Sequence, residues 1–226
     1  MSVATIEPLR QRNVGEIAVN LPGATGVFRR FGIDFCCHGA APLDQAAKAA
    51  GIDVEILEEA LEALDTTRSP EPAQDVGAII DHIVSRFHEV HRRQLPELIA
   101  LSRKVEQVHA GKTGVPAGLA DLMQHALGEL EVHMRKEELI LFPAMRREGA
   151  SLLDGPITQM RDEHVEHGEF IERVTQMTND FTPPEGACGT WRALYTGAAQ
   201  FKDDLIEHIH TENNILFPRF EAAAAG

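Results

Sequence analysis

Cysteine is scarce in this chain: three residues in 226, two of them adjacent. That is no disulfide framework, and it implies a reducing cytoplasm. Aromatic residues make up only 5% of the chain, with one Trp and one Tyr. No apolar run approaches the roughly 18 to 20 residues that a membrane span needs. The N-terminus has no charged start followed by an apolar stretch, so no secretory signal is expected. Positive charge is outnumbered, 21 Lys and Arg against 35 Asp and Glu, for a formal net charge of -14. Without a basic stripe to neutralise phosphates, nucleic acid is not expected as a partner. Strand-type alternation is missing as well. What is present, 43% apolar and 25% charged residues, is ordinary for a globular protein. The length suffices for one large or two modest domains.

The chain divides near residue 70. Residues 65–75 are polar, with two prolines and no apolar periodicity, which is linker chemistry. The expected organisation is a helical module over 1–66, a linker over 67–75 and a larger domain over 76–226. In the first, Val14–Asn20, Ala24–Phe31, Leu43–Ala50 and Val54–Leu64 read as short helices broken at Pro22, Gly32 and Gly51. In the second, long helical patterns cover Val76–Val108, Ala117–Glu148, Pro156–Asn179 and Thr190–Phe220. Gly111 to Pro116, Gly149 to Gly155 and Thr182 to Gly186 separate them. Long helices with short connections predict an all-α protein, an up-down-up-down four-helix bundle behind a small helical domain.

Two segments of the larger domain nearly repeat each other. His133-Met-Arg-Lys-Glu137-Glu-Leu-Ile-Leu-Phe-Pro143 is matched by His208-Ile-His-Thr-Glu212-Asn-Asn-Ile-Leu-Phe-Pro218. Upstream of them lie His88-Glu-Val-His91 and His164-Val-Glu-His167, 45 and 44 residues before His133 and His208. A helix pair bearing imidazoles and a carboxylate is therefore written twice.

Helical spacing places these residues on apolar stripes. The stripes run Ile80, Val84, His88, His91, Leu95, Leu98; then Ala126, Leu130, His133, Glu137, Ile140, Ala144; then Ile157, Met160, His164, His167, Ile171, Val174; then Phe201, Leu205, His208, Glu212, Ile215. A buried unpaired glutamate costs several kcal/mol, and two facing each other cost more. A pair of metal ions resolves that cost. A lone His-x3-Glu is usually a surface pair, but two copies in register, each with an upstream His-x2-His, make a metal constellation. Mixed imidazole and carboxylate donors suit iron, manganese or zinc. The ferritin-like Glu-x2-His order is not the one found here.

The arrangement instead resembles hemerythrin. With the Asp34-Phe-Cys36-Cys37 module, the Gln94-Leu-Pro-Glu97-Leu segment and the Thr182-Pro-Pro loop, the whole chain is similar to the iron-sulfur cluster repair di-iron proteins, the Repair of Iron Centres family. The resemblance implies two non-haem iron ions per chain with carboxylate and oxo or hydroxo bridges. Its ligands map onto His88, His133, Glu137, His164, His208 and Glu212, with the glutamates bridging. It implies repair of clusters damaged by nitric oxide or peroxide, with damaged iron-sulfur proteins as acceptors and nitric oxide or oxygen as small ligands. Iron donation leads. Reduction of nitric oxide to nitrous oxide at the same centre, or sensing of a diatomic or of iron, are the alternatives, so enzymatic activity stays open. Oxygen-carrying hemerythrins use five histidines and two carboxylates, whereas four and two match here.

Cys36 and Cys37 cannot close a relaxed disulfide with each other. They suit iron or nitrosyl binding, a thiol relay, or a bond to another subunit in a homodimer, against the plain reading of packed thiols. His38 stands where relatives often have glycine, and it can lower a thiol pKa or add a ligand. His91 and His167 are outer partners or substitutes for the ligands. His210 is expected to point away from the centre, His109 and His125 to be solvated, and His82 to be core or surface. Met134, Met160, Trp191 and Tyr195 are expected to pack, and Cys188 to be a simple thiol.

Overall fold

Among the described residues, two aspartates cap helix starts with their side chains. The Asp53 carboxylate accepts from the Glu55 amide at 3.0 Å, and Asp75 accepts from the Gly77 amide at 2.7 Å. Each satisfies an amide that the first helical turn leaves without a partner. The computed structural model describes residues 8–64, 75–147 and 153–221. The linker expected at 67–75 lies, except for Asp75, outside them, as do most of the residues between Gly149 and Gly155. No strand occurs among the described residues.

The chain forms two compact units, Met1–Gln74 with Ile209–Arg219, and Asp75–His208 with Phe220–Gly226. In the first, four helices follow one another: α1 (Val14–Asn20), α2 (Ala24–Phe31), α3 (Leu43–Ala49) and α4 (Val54–Glu62). Gly32 ends α2 at φ 66°, a left-handed conformation in which a side chain would be strained. Val14, Ile17, Phe28, Leu43, Leu57 and Leu61 are fully buried among these helices. Gly15 is a close-approach position. A Cβ there would lie 2.6 Å from Asn214 Oδ1 and 3.0 Å from the Gly39 carbonyl oxygen.

The second unit is a helical bundle, as expected. Its first helix runs through α5 (Val76–His82), a wider stretch π1 (Ile83–His88) and α6 (Glu89–Val108). The second is α7 (Leu119–Lys136), π2 (Glu137–Leu141) and α8 (Phe142–Met145). The third, α9 (Asp154–Met177), is regular throughout. The fourth is α10 (Gly189–His210), π3 (Thr211–Leu216) and α11 (Pro218–Glu221), with π3 belonging to the first unit. Each π stretch is closed by a bond to the fifth residue back: Glu89 donates to the Val84 carbonyl, Phe142 to Glu137 and Phe217 to Glu212.

These stretches correct part of the expected stripes. A five-residue ring carries one residue more than the α-helical ring, so the buried face slips by about one position. Beyond Glu137, Ile140 is 65% exposed, and Leu141, Phe142 and Met145 are buried instead. Ala144 is only half-buried. Beyond Glu212, Leu216 and Phe217 take the place expected for Ile215. In α9, where no slip occurs, all six expected positions are buried.

Candidate metal centre

The π stretches deliver ligand-type side chains. His88 closes π1, Glu137 opens π2 and Glu212 lies in π3, whereas His133, His164 and His208 stand on regular helix. All six are at most 1% exposed. They fall into two clusters, His88, Glu137, His208 and Glu212, and His133, Glu137, His164 and Glu212. Within each, the ligand atoms lie within 4.8 Å of one another. Both glutamates belong to both clusters.

In each cluster two imidazoles meet Nε2 to Nε2, His88 with His208 at 3.2 Å and His133 with His164 at 3.2 Å. Glu137 lies alongside both pairs. Its Oε2 is 3.4 Å from His88 Nε2, and its Oε1 is 3.5 Å from His133 Nε2. Neither carboxylate oxygen has a hydrogen-bond donor. Two nitrogens on one cation at about 2.0–2.1 Å, set 90° to 109° apart, are about 2.9–3.4 Å from each other. The observed spacing therefore fits one cation per imidazole pair. The two orphaned oxygens of Glu137, one beside each pair, fit a bridge.

Outer carboxylates set the histidine tautomers. His88 Nδ1 donates to Glu138 Oε1 at 2.8 Å, and His133 Nδ1 donates to Glu163 Oε2 at 2.8 Å. With Nδ1 protonated, each ring turns an Nε2 lone pair inward. Arg92 in turn holds both Glu138 oxygens, at 2.8 and 3.2 Å, and Lys136 pairs with Glu163. The His133 hydrogen bond, then Lys136, brings the Glu163 carboxyl down to about 2 against the opposing effect of burial. Glu138→Gln and Glu163→Gln should each weaken binding at one ion by about ten- to a hundredfold. Competition against graded chelators measures this, and two unchanged affinities would remove these carboxylates from the site. The repeat gave no sign of them, because Asn213 and Phe87 stand at the corresponding positions of the other copy.

Residues 79–220 match the family described as the hemerythrin HHE cation binding domain, and residues 10–65 match a domain of unknown function. Over 213 residues the chain is 47% identical to the iron-sulfur cluster repair protein YtfE of Dickeya chrysanthemi (strain Ech1591), covering 93% of this chain and 96% of that protein. The chain belongs to the YtfE family. Proteins of the same name from Edwardsiella ictaluri and Yersinia pseudotuberculosis are 45% and 47% identical over 215 residues, with the same two coverages, 93% and 96%. The family read from the double-cysteine module and the repeated His and Glu residues is thereby borne out, and with it the di-iron cofactor expected of this bundle.

The remaining histidines of this YtfE-family chain divide clearly. His91 and His167 are buried but belong to neither cluster. His91 packs against Phe201 and His208 at 5.2 and 5.3 Å, and His167 lies 4.9 Å from the His133 ring. Burial first, then the neighbouring imidazoles, pushes both well below the usual histidine value, so both are neutral. His210 is also in neither cluster and packs 5.1 Å from Phe35. Burial brings it down to about 4. His82 is exposed and so is His125, at 74% of its side chain. His109 corrects its expectation: it is buried against Trp191, with Nε2 3.2 Å from Cys188 Sγ. Its partners lie some 80 residues along the chain, where no local pattern reports them. Met134, Met160, Trp191 and Tyr195 are buried packing residues.

In the first unit Asp34, Cys36 and Cys37 form a third cluster. All three cysteines of the chain are free thiols. His38 faces Asp34 at 2.6 Å. The hydrogen-bonded Cys37 thiol and burial, with Asp34 adding, push the Cys36 thiol well above its ordinary value.

Proposed function

We propose that this protein repairs iron-sulfur clusters damaged by nitrosative or oxidative stress, supplying iron held in its bundle to the damaged proteins. His88 with His208 and His133 with His164, together with Glu137 and Glu212, which belong to both clusters, are the residues that would hold the two ions. The observation that carries this reading is the pair of facing Nε2 contacts, 3.2 Å each, flanking a buried glutamate without donors. The names of the relatives support the same reading. When bound, iron supplies a redox-active pair with coordination positions left for a small molecule such as nitric oxide or oxygen.

The chain's own residues account for retention and release. Glu138 and Glu163 hold His88 and His133 in one tautomer, so the inward nitrogens need no proton removed before binding. Two imidazoles and two shared carboxylates per ion give fewer protein donors than an oxygen carrier has, which favours release to an acceptor. The three free cysteines support a reducing cytoplasm. No helix among the described residues is long and apolar enough to cross a membrane.

The test mixes the iron-loaded protein with a cluster-free acceptor in the presence of sulfide. Iron is expected to move to the acceptor and restore its cluster. Cys36→Ala with Cys37→Ala should leave two iron ions per chain. If the loaded protein transfers none and instead turns nitric oxide into nitrous oxide, the repair reading gives way to a reductase.

A further inference from the structure

The double-cysteine loop gathers two thiols and a carboxylate within bonding reach of one cation. Cys36 Sγ lies 3.6 Å from Cys37 Sγ and 3.4 Å from Asp34 Oδ1. A tetrahedral cation bound by thiolates at about 2.3 Å and by a carboxylate at about 2.1 Å sets sulfur atoms about 3.8 Å apart and oxygen about 3.6 Å from sulfur. The observed distances come within a few tenths of an ångström of that figure. A disulfide would need sulfur atoms about 2.05 Å apart.

The loop around these atoms is braced. The Cys37 amide donates to Asp34 Oδ1 at 2.9 Å, and His38 Nδ1 donates to Asp34 Oδ2 at 2.6 Å. The carboxylate is thus turned so that Oδ1 faces the thiols, the kind of support that outer residues give a metal ligand. From π3, Asn213 Nδ2 donates to the Cys36 carbonyl and Asn214 Nδ2 to the Phe35 carbonyl, each at 2.9 Å. Phe35 is itself fixed between Phe28 and His210, at 5.6 and 5.1 Å. Cys36 is buried, Cys37 is half-buried and Asp34 is exposed, so one side of the cluster opens to solvent.

We propose that Asp34, Cys36 and Cys37 form a mononuclear site for a thiophilic divalent cation of the zinc or ferrous class, with its fourth position open. Binding replaces the two thiol protons, which leave to solvent, and no electrons move. The cation offsets each of the influences that raise the Cys36 thiol: its neighbouring thiol, its burial and the Asp34 charge. His38, in the place where the resemblance leads one to expect glycine, orients the carboxylate instead of acting on a thiol. This site is independent of the iron reading above.

Cobalt is the probe, because the His and Glu clusters offer no sulfur. The reduced full chain, carrying two iron ions and freed of any further metal by gel filtration, is titrated with cobalt(II) without oxygen. A sulfur-to-cobalt charge-transfer band should saturate at one equivalent and bleach on adding zinc. Cys36→Ser with Cys37→Ser should abolish the band while bundle iron and circular dichroism stay unchanged. Asp34→Asn keeps an acceptor for the Cys37 amide and should weaken binding at least about tenfold. Cys188→Ser should change nothing. A missing band at stoichiometric cobalt, or a band that survives the double serine variant and disappears with Cys188→Ser, overturns the proposal.

Discussion

Glu137→Leu should lower bound iron below two per chain and, at the same time, make the metal-free protein harder to unfold. Both effects come from one geometry. Glu137 is fully buried, has an oxygen beside each histidine pair, and finds no hydrogen-bond donor for either. Leaving a buried acceptor unsatisfied costs about 1–3 kcal/mol, more when it is charged. Leucine has similar bulk and no such cost, so the metal-free variant should be about 1–3 kcal/mol more stable than the metal-free parent. With iron present the order reverses, because the parent gains binding free energy that the variant has lost. Iron analysis and denaturant titration with and without chelator decide the matter. Unchanged iron content, or a metal-free variant that unfolds more easily, would show that Glu137 is not held in place for cations.

How far the chain could be read in advance depended on whether a helix keeps its period. In α9 it does, and every position expected inside, from Ile157 to Val174, is buried. In the second and fourth bundle helices the same spacing rule works up to the glutamate and fails just after it, since π2 and π3 begin there. A sign of this was present. Both repeats end in Phe-Pro, at 142–143 and 217–218. Proline has no N–H to donate, and its ring presses on the carbonyl four residues back, so the turn before it is where a wider ring costs least. Periodicity alone treats that proline as a helix end. The outer carboxylates were hidden for another reason, since Glu138 and Glu163 break the repeat that revealed the ligands. The short helices of the first unit were easier, because Gly32 and Gly51 mark their ends chemically, at φ 66° and 71°. His109 was beyond reach, buried by Trp191 and Cys188 through tertiary contact alone.

Removing the metal should loosen the π stretches before the rest of the bundle. A π ring has poorer backbone geometry than an α ring and persists where something else holds it. In π1 and π2 the holding groups are His88 and Glu137, and both donate to or border the proposed ions. At a free iron concentration a thousand times the dissociation constant, each ion adds about 4 kcal/mol to stability, all of which chelation removes. That loss should be unevenly distributed. Amide exchange across Ile83–His88 and Glu137–Leu141 should accelerate most, because an α register can replace the π register once the side chains are released. In α9, His164 stands on regular helix and its backbone has no alternative register to relax into. Exchange there should rise only with global unfolding. Mass spectrometry of deuterium uptake, with and without chelator, gives the comparison directly. Equal acceleration in α9 and in the two π stretches would mean that the widened rings are set by packing and by Pro143, not by what the histidines and glutamates hold.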